Sequence, residues 1–309
     1  MRVFIKGGTG LIGSRLAAAL AARGDQPVVL SRSRTGAQKK LPSGTEIIEG
    51  DPQQPSSWME AVSGCQAVVN LVGENLSAHR WSENFKAILR DSRLRSTRNV
   101  VEAIVRAQER PQVLVSGSAV GYYGFTGDEE LTEDSPGRTD EFLGQLCHDW
   151  EEAAKLVEKE GVRLVRIRTA VVLARDGGAL PQMLLPFKLF VGGKVGSGGQ
   201  WVSWIHHADE VGIILFALDR ADVRGPLNAS APNPVTNYQL AKAIGHAMGR
   251  PSFFPTPAFM LKLAFGEMAN LIVKGQRVLP KRALELGYKF QFPDIDSALA
   301  DVLGKKQAA

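Results

Sequence analysis

The sequence predicts an α/β fold: a Rossmann-type doubly wound parallel sheet carrying a smaller C-terminal α+β lobe. Three observations predict it. A short apolar run, Val3-Phe4-Ile5, passes straight into Gly7-Gly8-Thr9-Gly10-Leu11-Ile12-Gly13. From residue 1 to about 175, β-branched runs alternate with stretches of helical apolar spacing. Beyond that, paired glycines and a cluster of prolines between Pro226 and Pro257 replace the alternation.

Candidate strands lie at 3–5, 27–30, 46–48, 67–71, 112–116 and 163–168. Helical spacing marks 11–23, 56–62, 83–108 and 141–160 between them. In the first helix Ile12, Leu16, Ala19 and Leu20 form one stripe that can face a sheet. The division expected is a nucleotide-binding domain at 1–175 and a substrate-side lobe at 176–309 with crossings back to it. Helices are expected in that lobe at 208–218, 237–248, 258–273 and 295–303.

The chain has 309 residues, 44% of them hydrophobic, enough for a full core. Disorder is expected only at the tail 305–309. Two cysteines, Cys65 and Cys147, lie far apart without metal spacing, which points to a reducing, cytoplasmic setting and to no metal. No uncharged apolar run reaches the ~18 residues that span a bilayer, so no membrane partner is expected. The net charge of +5 comes from basic residues interleaved with acids, as in Arg90-Asp91-Ser92-Arg93, rather than massed as for nucleic acid.

The glycine turn carries the first chemical signal. Between a strand and a helix, Gly7, Thr9 and Gly10 let backbone approach a pyrophosphate, and Gly13 lets the helix pack close. The N–H groups near Leu11 and Ile12 then point at the anion with the helix dipole behind them. The second strand ends in Leu30-Ser31-Arg32-Ser33-Arg34, without the carboxylate that binds the ribose hydroxyl of NAD. Ser31 and Arg32 suit a 2′-phosphate, so NADP is the expected cofactor. Asp51, after the third strand, suits the adenine amino group or a simple turn. After the fourth strand Leu71, Val72, Gly73 and Glu74 are placed to wall the adenine and ribose.

The fifth strand runs into Ser116-Gly117-Ser118-Ala119-Val120-Gly121-Tyr122-Tyr123-Gly124. With the glycine turn, this segment resembles the extended short-chain dehydrogenase/reductases, the sugar-nucleotide epimerases and their relatives. That group carries a tyrosine and a lysine four apart on the next helix. Here the helix reads Asp140-Glu141-Phe142-Leu143-Gly144-Gln145-Leu146-Cys147-His148-Asp149-Trp150-Glu151, with Phe142 or Leu143 at the tyrosine and Leu146 or Cys147 at the lysine. Asn70-Leu71-Val72-Gly73-Glu74-Asn75, Arg80-Trp81, Ser203-Trp204-Ile205-His206 and Gly275-Gln276-Arg277-Val278 narrow the resemblance to one atypical branch. That branch is the epimerase family proteins of the YfcH type, which end in a small domain of unknown function. The resemblance implies NADP binding and oxidoreductase or epimerase activity on a small molecule, with Arg93 and Val172 also touching the cofactor.

For chemistry, Ser118 and Tyr123 are the candidates, as a displaced pair on the loop after strand five; the alternative is that Tyr122 and Tyr123 wall the pocket. Asp149 and Glu151, two apart on a helix, do not share a face. His206-His207 without further ligands make a poor metal site. The 192–199 loop, near Lys188 and Lys194, either closes over a substrate or is a flexible loop. Two functions remain: an NADP(H)-dependent oxidoreductase, or a non-catalytic NADP-binding sensor.

Overall fold

The computed structural model describes residues 1–304; the tail at 305–309 lies outside the described residues. Seven strands form the central sheet: β1 (Arg2–Lys6), β2 (Gln26–Ser31), β3 (Glu46–Glu49), β4 (Ala67–Asn70), β5 (Val113–Ala119), β6 (Arg163–Thr169) and β7 (Gly225–Ala229). All pair in parallel, side by side in the order β7-β6-β5-β4-β1-β2-β3. The order reverses between β1 and β4, so the ligand crevice of this topology opens at their carboxyl ends.

Both faces of the sheet are covered, which is why its strands read as apolar runs rather than alternating ones. Val3 and Ile5 of β1 join one core with Val29, Val69, Val165 and Leu16 and Leu20 of helix α1 (Leu11–Ala22). Phe4 points the other way, into a second core with Val28, Val68, Leu114, Leu164 and Ile104 of α2 (Glu83–Arg106). Helix α3 (Phe142–Lys155) packs on α2 through Trp150 and Leu146, against Phe85 and Leu89. Each such buried side chain contributes about 1.5–3 kcal/mol relative to exposure.

The lobe has its own core, built from Leu180 and Leu184 of α4 (Leu180–Lys188) with Leu173, Trp204, Leu240 and Leu299. Helix α5 (His207–Asp219) leaves the lobe and lays Val211, Ile213, Ile214 and Ala217 on the first core beside α1. Helices α6 (Asn237–Met248), α7 (Ala258–Phe265) and α8 (Ile295–Val302) complete the lobe. No helix among the described residues is long and apolar enough to cross a membrane.

Several elements differ from the sequence expectation, three of them for reasons plain in the residues. Strand β7, Gly-Pro-Leu-Asn-Ala, reads as a turn; Pro226 is tolerated because β7 pairs only with β6, at the sheet edge. Helix α4 carries Pro181 near its start and Pro186 inside, which masks its period. The stretch expected as one helix at 258–273 is α7, a 3₁₀ turn at Gly266–Ala269 and a short helix at Asn270–Val273, broken where Gly266 takes a φ of +60°. Because β7 and α5 belong to the central layers, residues 207–229 return to the first domain's body.

Candidate functional site

At the β1/β4 crevice the turn is a cradle of Gly7, Gly8 and Gly10 with Thr9 as its one side chain. Gly7 has a φ of +81°, and a Cβ on it would stand 2.9 Å from the Leu71 carbonyl carbon and oxygen. The turn and the end of β4 are thus held together at the switch point. A Cβ on Gly13 would meet the Gly7 carbonyl oxygen at 2.2 Å, which fixes the close approach of α1 to β1. Gly10, the N-cap of α1, supplies no side-chain cap, and the first turn of α1 holds no acid. The N-terminal N–H groups of α1, with Leu11 and Ile12 at their head, therefore face open space with the positive dipole end.

At the end of β2, Ser31 Oγ donates to the Ser33 carbonyl at 3.0 Å, and the Ser33 hydroxyl caps a short helix by accepting from Gly36 N–H. Arg32 is exposed; among the described residues neither it nor Arg34 pairs its guanidinium with an acid. Asp51 Oδ1 accepts from the Gln53 N–H at 2.8 Å, so it shapes a turn at the end of β3. Leu71 and Val72 are half-buried beside the glycine turn. Gly73 is pressed by Arg93, whose Cζ would lie 3.0 Å from a Cβ there. Glu74 donates its N–H to Ser92 Oγ and gives its carbonyl to Arg93 Nη2 at 3.1 Å.

Arg93 is 9% exposed, stacked 5.3 Å over Trp150, and donates only to the carbonyls of Leu89 and Glu74. Burial without a carboxylate partner lowers its pKa. Val172 also comes to the crevice. Its strand, Val171–Ala174, pairs with Trp204–His206, and Gly178 bridges the Val172 carbonyl and the Leu11 side chain. The structure therefore collects the turn, Leu71–Glu74, Arg93 and Val172 around one crevice, with Ser31 and Arg32 at its β2 side.

The chemical candidates occupy different ground. Register aligns Ser118 with Arg168 and Arg168 with Asn228 across β5, β6 and β7. Ser118 Oγ donates to Glu151 Oε1 at 2.8 Å, and Arg168 grips the same carboxylate through Nε and Nη2 at 2.8 and 3.0 Å. Arg168 Nη1 donates to the Tyr123 hydroxyl at 2.8 Å, which in turn donates to Asn228 Oδ1 at 2.7 Å. Tyr123 is fully buried, and burial pushes its pKa up to about 12. Both hydroxyls of the displaced serine–tyrosine pair are thus hydrogen-bonded inside the wall at the ends of β5–β7.

Arg168 and Asn228 escaped the sequence reading, and Glu151 was weighed there only as half of a carboxylate pair with Asp149. One signal was present, since Arg168 is a charge inside the otherwise apolar end of a central strand and so demands a buried partner. Asp149, on the other side of α3, pairs with Arg90 at 2.6 Å. Of the helix residues where the resemblance expects tyrosine and lysine, Leu143 and Cys147 both pack against Gly121. Cys147 is buried, and that burial pushes its thiol up to about 12.

His206, His207 and Asp301 lie close enough to share an ion. Yet His206 Nδ1 accepts the Ala208 N–H at 3.1 Å, which leaves its proton on Nε2, facing Asp301 at 3.1 Å. Burial first, then His207, lowers the His206 pKa to about 4, so the neutral ring caps α5 and binds Asp301.

A cleft of about 320 Å³ opens past Gly124, lined by Phe125, Asp128, Gln200, Trp201, Lys274 and three glycines. Trp201 Nε1 donates to Asp128 at 2.7 Å, and Arg277 stacks 4.6 Å from its ring. Phe125 is shared with a small void bounded by Trp81, Phe142, Leu143 and Leu271 at the head of α3.

Comparison with known proteins gives this arrangement a family. Residues 3–230 match the NAD dependent epimerase/dehydratase family, and 256–302 match a domain of unknown function, DUF1731. The chain is 41% identical to the chloroplastic epimerase family protein SDR39U1 homolog of Arabidopsis thaliana, covering 98% of this chain and 87% of that one. It is 38% identical to epimerase family protein YfhF of Bacillus subtilis, covering 99% of each, a relative that widens the YfcH label. Human epimerase family protein SDR39U1, crystallised with NADPH, superposes with a TM-score of 0.87 at 37% identity over 99% of this chain and 100% of that one. A UDP-glucose 4-epimerase of Thermotoga maritima, 17% identical over 99% of this chain and 98% of that one, shares the fold at 0.81. The glycine cradle, the seven-stranded order and these matches agree: the chain belongs to the NAD dependent epimerase/dehydratase family, in the branch that ends in DUF1731.

Proposed function

We propose that this protein is an NADP(H)-dependent oxidoreductase of the atypical extended short-chain dehydrogenase/reductase type, acting on a small molecule without the usual tyrosine–lysine pair. The observation that carries the reading is the glycine cradle at an uncapped helix start, followed at β2 by two guanidiniums without acid partners. The NADPH in the human SDR39U1 structure supports it. When bound, NADPH supplies a hydride to the substrate.

The chain's own residues do the holding. N–H groups at Leu11 and Ile12 take the pyrophosphate, with Gly7, Thr9, Gly10 and Gly13 giving it room. Ser31 and Arg32 take the 2′-phosphate. Leu71, Val72 and Gly73 wall the adenosine half, and Asp51 borders it. Arg93, buried without an acid, offers its charge beside Gly73 and Glu74, while Val172 closes the far side. Ser118 and Tyr123 are positioning residues that fix the wall at the ends of β5–β7. Buried free Cys65 and Cys147 support a reducing compartment, which for this chain we take as the cytoplasm.

Arg32→Ala tests the cofactor assignment. NADPH binding should weaken by about 1.5–3 kcal/mol, the range for a hydrogen bond to a charged group. NADH binding should hold. Equal losses for both, measured by titration calorimetry, refute the assignment. The second reading, a non-catalytic NADP sensor, draws on the sealed state of Ser118 and Tyr123. NADPH oxidation with any carbonyl substrate excludes it.

A further inference from the structure

We infer that the substrate is a planar, uncharged, conjugated hydride acceptor of the quinone type, seated in the cleft beside Phe125 and Trp201. The inference rests on the cofactor reading above and names the substrate class for that site. Three independent features of the molecule converge on it.

The first is shape. Phe125 and Trp201 present ring surface, and Gly127, Gly199 and Gly275 leave flat backbone between them. Trp201 is held by its bond to Asp128 and by stacked Arg277, so the ring is preset. A volume near 320 Å³ suits a ligand of one or two rings. Rings bind such walls by offset or edge contacts.

The second is charge. Lys274, the one cation lining the cleft, donates to Glu141 at 2.6 Å. Arg277 pairs with Glu130 at 2.9 Å, and Lys86 near the adjoining void pairs with Glu267 at 2.6 Å. Lys194 turns back to the Ser197 carbonyl at 3.0 Å. A sugar nucleotide's diphosphate needs donors that are still free. Here it would also meet Asp128. The cleft therefore selects against it.

The third is the proton. Hydride addition to an isolated ketone makes an alkoxide, which needs an acid at hand in the transition state. Phe142, Leu143 and Leu146 have no proton to give, Cys147 and Tyr123 are buried, the Tyr122 ring is covered by Arg168 at 3.5 Å, and the Lys274 ammonium is held by Glu141. A quinone removes the need. The C–H bond of the reduced nicotinamide breaks as the hydride, two electrons and one proton, bonds to one quinone oxygen. The displaced π pair comes to rest on a conjugated oxygen. The product is a phenolate, whose conjugate acid has a pKa of about 10 as in tyrosine. It then takes its proton from water. NADPH is oxidised to NADP⁺ and the quinone is reduced to the hydroquinone.

The test uses the full chain with naphthoquinone, cyclohexanone and UDP-glucose as probes. Naphthoquinone should oxidise NADPH and cyclohexanone should not, and UDP-glucose incubated with NADP⁺ should be neither oxidised nor epimerised. Naphthoquinone alone should quench tryptophan fluorescence. Trp201→Ala and, separately, Phe125→Ala should each raise its KM by about tenfold, the loss of roughly 1.4 kcal/mol of ring contact. NADPH affinity measured by titration should stay within about twofold in both, since neither ring is among the residues proposed to hold the cofactor. Circular dichroism checks that each variant is folded. Absence of NADPH binding by the wild-type chain defeats the cofactor reading. NADPH binding with no quinone turnover, or with turnover of cyclohexanone or UDP-glucose instead, overturns the substrate inference alone. So does a quinone KM unmoved in both folded variants.

Discussion

At the carboxyl ends of β1 and β2, backbone N–H groups and the Arg32 and Arg34 guanidiniums have no acid or capping side chain as partner among the described residues. At the ends of β5, β6 and β7, a short distance along the same sheet edge, Ser118, Glu151, Arg168, Tyr123 and Asn228 are all bound to one another. The first region is left open, to be completed in the proposed function by the cofactor's phosphates. The second is finished already. An unpaired polar group at a surface costs little and invites a ligand, whereas a buried one must be satisfied by the protein itself. Function on this edge is thus divided between a half that waits for a cofactor and a half that is fixed scaffold.

The largest effect is expected in the sealed half. Arg168→Ala leaves Glu151, 2% exposed, with only Arg166 at 3.2 Å to balance it. Removing one partner from such a buried pair costs about 3–5 kcal/mol. Burial by itself would lower the Arg168 pKa, but the bonds and charges of Glu151 and Tyr123 together outweigh it and raise it, which agrees with a tight cluster. Urea unfolding should show the loss. A cost below about 1 kcal/mol, the range of surface ion pairs, breaks the contrast between the halves.

Gly13→Ala strikes the open half. The added methyl meets the Gly7 carbonyl at 2.2 Å, backbone that has nowhere to give, so α1 must move off β1. About 3 kcal/mol is expected, the upper end for overpacking. NADPH affinity should fall with it, because the helix start that receives the pyrophosphate is displaced. Calorimetric titration of a folded variant that still binds NADPH normally would detach the cofactor from this crevice.

The open half was readable in the sequence, and the reason is local. Gly7 to Gly13 and Ser31-Arg32 act through backbone and charge within one strand–turn–helix unit, so spacing alone carries their meaning. The sealed half joins residues 118, 123, 151, 168 and 228, and only the register of three parallel strands brings these together. Sequence shows that Ser118 and Tyr123 carry hydroxyls but hides that both are buried. The fold divided the same way. Strands with strong β-branched runs were legible, but β7 was not, since an edge strand next to Pro226 needs no such signal.

The smallest effect is the one that decides what Tyr123 is. Tyr123→Phe keeps the ring and deletes one hydroxyl, leaving Asn228 Oδ1 and Arg168 Nη1 each short of a partner. Both have other bonds, Asn228 through its Nδ2 to the Leu279 carbonyl and Arg168 to Glu151. The stability cost should therefore stay near 1–2 kcal/mol, about that of one buried hydrogen bond. With its pKa pushed up to about 12, the hydroxyl keeps its proton throughout the neutral range. Turnover per folded molecule should then change little, and its pH profile should not move. A general acid–base would behave otherwise, its loss lowering kcat by about 10²–10⁴ with stability intact. Steady-state kinetics on the folded variant separate the two, and a collapse of kcat would open the sealed half to chemistry after all.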